Sequence, residues 1–167
     1  MRGAHRRMAK LVFGILMTVV WWMLHALQFD EESAMGTVYE VKAAVNRAAH
    51  AAAQQLDRDK LELGVLSIDR AEAEAAAANY LQWNLRLDGQ MHPLPGSVLR
   101  EAAEVRAFDV LDESLDYPYT YRNSRYGYEV TFDRPGVVLI VHVRYPQLFG
   151  VLAPIEWDVK GSSELVY

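Results

Sequence analysis

The side chains most able to do chemistry are scattered along this chain. The five histidines, His5, His25, His50, His92 and His142, form neither the i, i+4 pair nor the His-x-Glu grouping that zinc sites use. His25 lies inside a long apolar run, where an ionisable group is a functional candidate by default. It also lies a few residues from the end of that run, which fits a ring that simply faces lipid headgroups. His142 sits in an apolar stretch and reads as a core histidine with its hydrogen bonds satisfied. Serines are few, and no G-x-S-x-G elbow exposes one as a nucleophile. Neither common glycine-rich phosphate loop is present. Asp109, Asp112, Glu113 and Asp116 offer oxygens to a calcium ion but lack the spacing of a dedicated loop, so they read as a solvated acidic turn. No catalytic residue, no metal site and no cofactor is expected, and the chain is read as non-enzymatic.

Tyrosine is the unusual residue of the second half, which holds Tyr117, Tyr119, Tyr121, Tyr126, Tyr128, Tyr145 and Tyr167. Its rigid ring and hydroxyl suit both strands and binding surfaces. The plain reading is sheet propensity. The sharper one makes Tyr117, Tyr119, Tyr121, Arg122, Arg125 and Tyr126 an exposed contact surface, serving recognition and not catalysis.

What must position these groups begins at the N-terminus. Residues 11–27, LVFGILMTVVWWMLHAL, contain no Asp, Glu, Lys or Arg, and Phe29 extends the run toward the ~20 residues that cross a bilayer. Leu11, Phe13, Ile15, Val19, Trp21, Trp22 and Leu24 are the anchor residues, the indoles falling in the half nearer an interface. A buried core helix is the competing interpretation. Arg2, Arg6, Arg7 and Lys10 precede the run, and Asp30, Glu31 and Glu32 follow it. Cationic flanks stay cytoplasmic, so residues 1–10 are expected inside as a basic arm, 11–29 as a single-pass anchor, and 30–167 outside the cell membrane. A cleavable signal would have small residues before the cut. Leu24 and Glu32 stand at the relevant positions before Ala26 and Ala34, which favours an uncleaved anchor. Without the four N-terminal cations, 17 − 4 = 13 basic residues face 22 acidic ones, a balance of −9 that argues against a nucleic-acid partner. Cysteine is absent, so disulfides and thiolate ligands are excluded.

The fold class expected is α+β. Val38, Val41, Val45, Ala48, Ala52 and Leu56 recur at helical spacing and predict a helix over about 33–57, with seven alanines in residues 43–53. Arg58 to Ile68 reads as a connector or short strand. Asp69 with Glu72 has capping-box spacing and opens a second helix to about 87, striped by Ala71, Ala75, Ala78, Leu81 and Leu85 and stopped by Asp88-Gly89. Val41, Val45, Ala48, Ala52, Ala71, Ala75 and Ala78 are the helix-packing candidates. They would pair the helices as a hairpin or receive neighbouring helices. A Pro/Gly loop, 89–97, separates this helical region, 30–88, from a β-rich region, 98–167. There, strands are expected over 105–111 and 126–132, over a β-branched run, 137–145, at the sheet centre, and over 155–160. The small antiparallel sheet they form is expected to pack on the second helix.

The basic leader, the apolar segment at 10–27 and the small-residue helix VKAAVNRAAHAAAQQL (41–56) that runs straight out of it resemble type IV pilin-like proteins. More closely, they resemble the TadE-like pilus-assembly proteins. The resemblance covers about the first third of the chain. It implies an envelope-located assembly part, with the membrane, other envelope or pilus-like proteins and possible further copies of the chain as partners. The rival expectation is a membrane-tethered sensory or ligand-binding module, which would show a concave aromatic pocket around residues 117–128.

Overall fold

The structure, a computed structural model, describes residues 2–145 and 155–166, with side chains from residue 6 onward; Tyr167 and the side chains of Arg2 and His5 lie outside the described residues. It is α+β. Helix α1, Arg2–Ala53, runs unbroken through the apolar segment and the alanine-rich stretch, about 78 Å at 1.5 Å per residue. Gly36 stays within it and does not end it. Its two halves differ in surroundings. The most apolar stretch has a mean hydropathy of 1.7 and none of it is buried. From Asp30 onward one side of the helix is covered, burying Asp30, Ala34, Val41, Val45, Ala48 and Ala52.

The connector is one helical turn, α2 (Arg58–Glu62), inside a loop closed by a bridge between Leu56 and Ile68. Helix α3, Arg70–Leu85, starts where Asp69 accepts from the N–H groups of Ala71 and Glu72 at 2.9 and 3.1 Å, satisfying two of the free donors of a helix start. It stops earlier than Asp88-Gly89 suggested. Arg86 adopts φ 52°, and its guanidinium lies over Gly96, where a Cβ would come within 2.5 Å of Nη1. The chain then folds back through Asp88, whose carboxylate takes the N–H groups of Gln90 and His92.

Among its described residues the β-rich half contains two sheets where one was expected. Strands β1 (Glu104–Leu111), β4 (Gly136–Arg144) and β5 (Glu156–Glu164) form an antiparallel sheet in the order β1-β4-β5. The central place of β4 agrees with its unalternating β-branched sequence. A separate hairpin, β2 (Tyr119–Asn123) and β3 (Tyr128–Phe132), covers the far face. Val137, Leu139, Val141 and Val143 of β4 point into the main core with α1 and α3, while Val138 and Ile140 point to the hairpin.

The sheet seats on α1, through β4 and β5, and not on α3. Gly161 is the reason. A Cβ there would meet Val45 Cγ1 at 2.9 Å and Val45 O at 3.2 Å, so bare backbone lets β5 close onto the helix. Helix α3 packs on another side of α1 with Ala73, Ala77, Leu81 and Leu85 buried. This corrects the expected stripe: Ala71 and Ala75 are exposed and Ala78 is half-buried.

Candidate functional site

Residues 6–29 of α1 are almost wholly exposed. Leu11, Ile15 and Trp22 are 67%, 66% and 64% exposed, and Phe13, Val19, Trp21 and Leu24 are exposed with them. A monomeric soluble protein rarely leaves so long an apolar surface uncovered. From Leu11 to Phe29 the rise is about 28 Å, the thickness of bilayer hydrocarbon. Among the described residues, one helix is therefore long and apolar enough to span a membrane. Polar atoms inside it turn to its own backbone: Thr18 donates to Gly14 O at 2.9 Å, and His25 Nδ1 lies 3.0 Å from Trp21 O, its ring tilted 40° to the indole with centroids 4.0 Å apart.

The expected packing residues divide. Val41, Val45, Ala48 and Ala52 are fully buried within the chain, which leaves no surface on them for a neighbour. A polar row beside them was missed in the sequence although its spacing, in multiples of four residues, was legible. Lys42 donates to Lys160 O, His50 Nδ1 meets Ser163 Oγ at 3.2 Å, and Gln54 donates to Glu164 O at 3.2 Å and accepts from Val166 N at 3.4 Å. Lys42 and Gln54 thereby satisfy backbone groups along the outer edge of β5, which would otherwise be open to pairing with another strand, and His50 holds a side chain of the same strand. Burial, then the charge of Lys160, lowers the Lys42 pKa.

The tyrosines face inward, which corrects the contact-surface reading. Tyr121 is buried and Tyr117, Tyr119, Tyr126 and Tyr128 are half-buried against the second core. Tyr121 donates to Asp109 Oδ2 at 2.6 Å and Tyr117 to Asp112 O at 2.8 Å; burial first, then nearby carboxylates, pushes both hydroxyls up to about 12. Only Arg122 and Arg125 of that set are exposed, Arg122 pairing with Glu129 across the hairpin. A cleft of about 590 Å³ is lined by Asp57, Asp59, Asp69 and Glu72 and holds none of these rings.

The acidic turn carries a clasp. Lys60 Nζ lies 2.6 Å from Glu113 and 3.2 Å from Ser67 Oγ. A Ser–Lys pair suggests a hydrolase dyad, but such a lysine must be neutral to act as a base. Glu113 instead raises the Lys60 pKa, and Ser67 is fully buried. The clasp ties the α2 loop to the β1–β2 connection. The hydrogen bonds of Lys60 and then Ser67 hold Glu113 down at about 2, from 4.5. Because the folded value is the depressed one, this stability is present above pH 4.5 and is lost as pH falls toward 2. Replacing Glu113→Gln should therefore lower Tm at neutral pH and flatten the acid limb, the two proteins converging near pH 2. Parallel Tm profiles from pH 7 to 2 would show the clasp contributes nothing.

His142 sits on the hairpin side of β4, not in the core, with Nδ1 2.9 Å from Asp158 and Nε2 3.6 Å from Glu156 on the neighbouring strand. Arg144 completes this cross-strand group with Glu156 and Glu101 at 2.6 and 2.8 Å. Among the described residues no group of three or more His, Asp or Glu is placed to hold a metal ion. Comparison of the chain with protein-family models, characterised proteins and solved structures finds no match.

Proposed function

We propose that this chain is a single-pass, non-enzymatic membrane protein of a cell envelope, with its N-terminus in the cytoplasm, that serves as a scaffold in a pilus-like or secretion-linked assembly. One observation carries this reading: a bare apolar half of α1 continues, without a hinge, into a half that nucleates an α+β domain. Burial begins at Asp30, directly after the apolar segment, so the domain stands on the membrane surface with no flexible stalk. The helix transmits orientation rigidly, as a scaffold requires. The charge step from Arg6, Arg7 and Lys10 to Asp30, Glu31 and Glu32 supports the inside-to-outside direction. The resemblance to TadE-like and other pilin-like proteins supports the assembly role. With Val41, Val45, Ala48 and Ala52 committed internally, neighbours would meet the bare segment of α1 and the outer face of α3, where Ala71, Ala75 and Trp83 are exposed.

The test is protease protection of the full-length chain, tagged at both ends, in right-side-out membrane vesicles. A protected N-terminal tag with an accessible C-terminal tag is expected. The reverse pattern, or recovery of the chain in the soluble fraction, would sink the proposal.

A further inference from the structure

We propose that α1 pairs in the membrane with the α1 of a second copy, the two parallel and joined through the face that carries Gly14, Thr18, Trp21, His25 and Gln28. This rests on α1 spanning the bilayer. Those residues follow one another at spacings of four, three, four and three, the repeat that keeps a seam facing a partner helix along its length. Leu16, Val19 and Met23, on the opposite side, are apolar throughout. Up to Tyr39, what the domain covers of α1 lies on that opposite side. Of the residues α1 buries, Asp30, Ala34, Val41, Ala48 and Ala52 lie roughly half a turn round from the Gly14 line. Every position on the line from Gly14 to Tyr39 is exposed, so a second helix can follow it out of the bilayer.

Gly14 has no reason for being glycine within the chain. A Cβ there would meet nothing within 4 Å, and glycine weakens a helix interior. In a membrane a small residue lets another backbone approach closely. The polar atoms say which partner fits. With Nδ1–H of His25 donating to Trp21 O, 3.0 Å away, Nε2 is left as an acceptor, and hydrocarbon supplies no donor. The indole N–H of a second copy's Trp21 is such a donor, one step away on the same repeat. A two-fold axis along the membrane normal makes that bond twice. No residue on the line within the span is an acid, lysine or arginine, so like meets like without fixed-charge repulsion.

The chain has no cysteine, so introduced cysteines report alone. Full-length Thr18→Cys and Gln28→Cys, oxidised in carbonate-washed membranes, should give at least tenfold more covalent dimer than Leu16→Cys and Met23→Cys. Adding Gly14→Ile or Trp21→Phe to Thr18→Cys should lower its yield at least fivefold. Equal yields from both faces, no dimer at all, or crosslinks only to a different protein would overturn the pairing. An unchanged yield with Trp21→Phe would remove the Trp21–His25 bond from it. Loss of every variant from the washed membranes would instead strike the membrane reading beneath it.

Discussion

Val19→Arg combined with Val20→Arg should empty the membrane fraction of the full-length protein. Both residues lie near the centre of residues 11–29 and are exposed on α1, so neither substitution disturbs a contact inside the domain. Each arginine at a helix centre costs about 2.5–3.5 kcal/mol of insertion, and the pair reverses the balance of a span that has no spare length. Carbonate-resistant protein should fall at least tenfold, while Trp83→Arg, more exposed still but on α3, should leave it unchanged. Retention of the double variant at the normal level would mean that residues 11–29 do not cross lipid.

The second large effect concerns the alanines. Ala48→Leu with Ala52→Leu should unfold the domain rather than alter contacts with neighbouring proteins. Both positions have no exposed surface and lie in the main core with α3 and β4. Overpacking costs about 1–3 kcal/mol per site against a total stability of roughly 5–15 kcal/mol. Thermal unfolding of the detergent-solubilised full-length protein, followed by near-UV circular dichroism, should show Tm lowered by at least 10 °C or no cooperative transition. Ala71→Leu with Ala75→Leu is the control. Those sites are exposed, and surface changes stay within about 0.5 kcal/mol. Equal destabilisation by both pairs would contradict the stripe that α3 buries.

These two pairs of alanines show where reading the sequence stops. Alanine has one hydropathy whichever way it points, and α3 holds six alanines within residues 71–78, so the pattern there marks a helix without marking its face. The line Ala73, Ala77, Leu81, Leu85 was chosen by where α3 docks on α1. The tyrosines pose the same ambiguity in a strand. A ring with a hydroxyl suits both a surface and a core edge, and hydrogen bonds to Asp109 and to the backbone of Asp112 satisfy the hydroxyls of Tyr121 and Tyr117 in the inward position.

By itself the sequence determined the elements whose cause is local: the uncharged run over residues 11–27, the helix start at Asp69, the β-branched strand that had to be central, and the α+β class. Three-dimensional packing settled that the sheet closes on α1 and not on α3, that the hairpin is a separate layer, and that α1 keeps one face exposed from Gly14 to Tyr39 before β5 meets it. Those choices depend on long-range fit, such as Gly161 against Val45. No window of neighbouring residues contains both partners of such a contact.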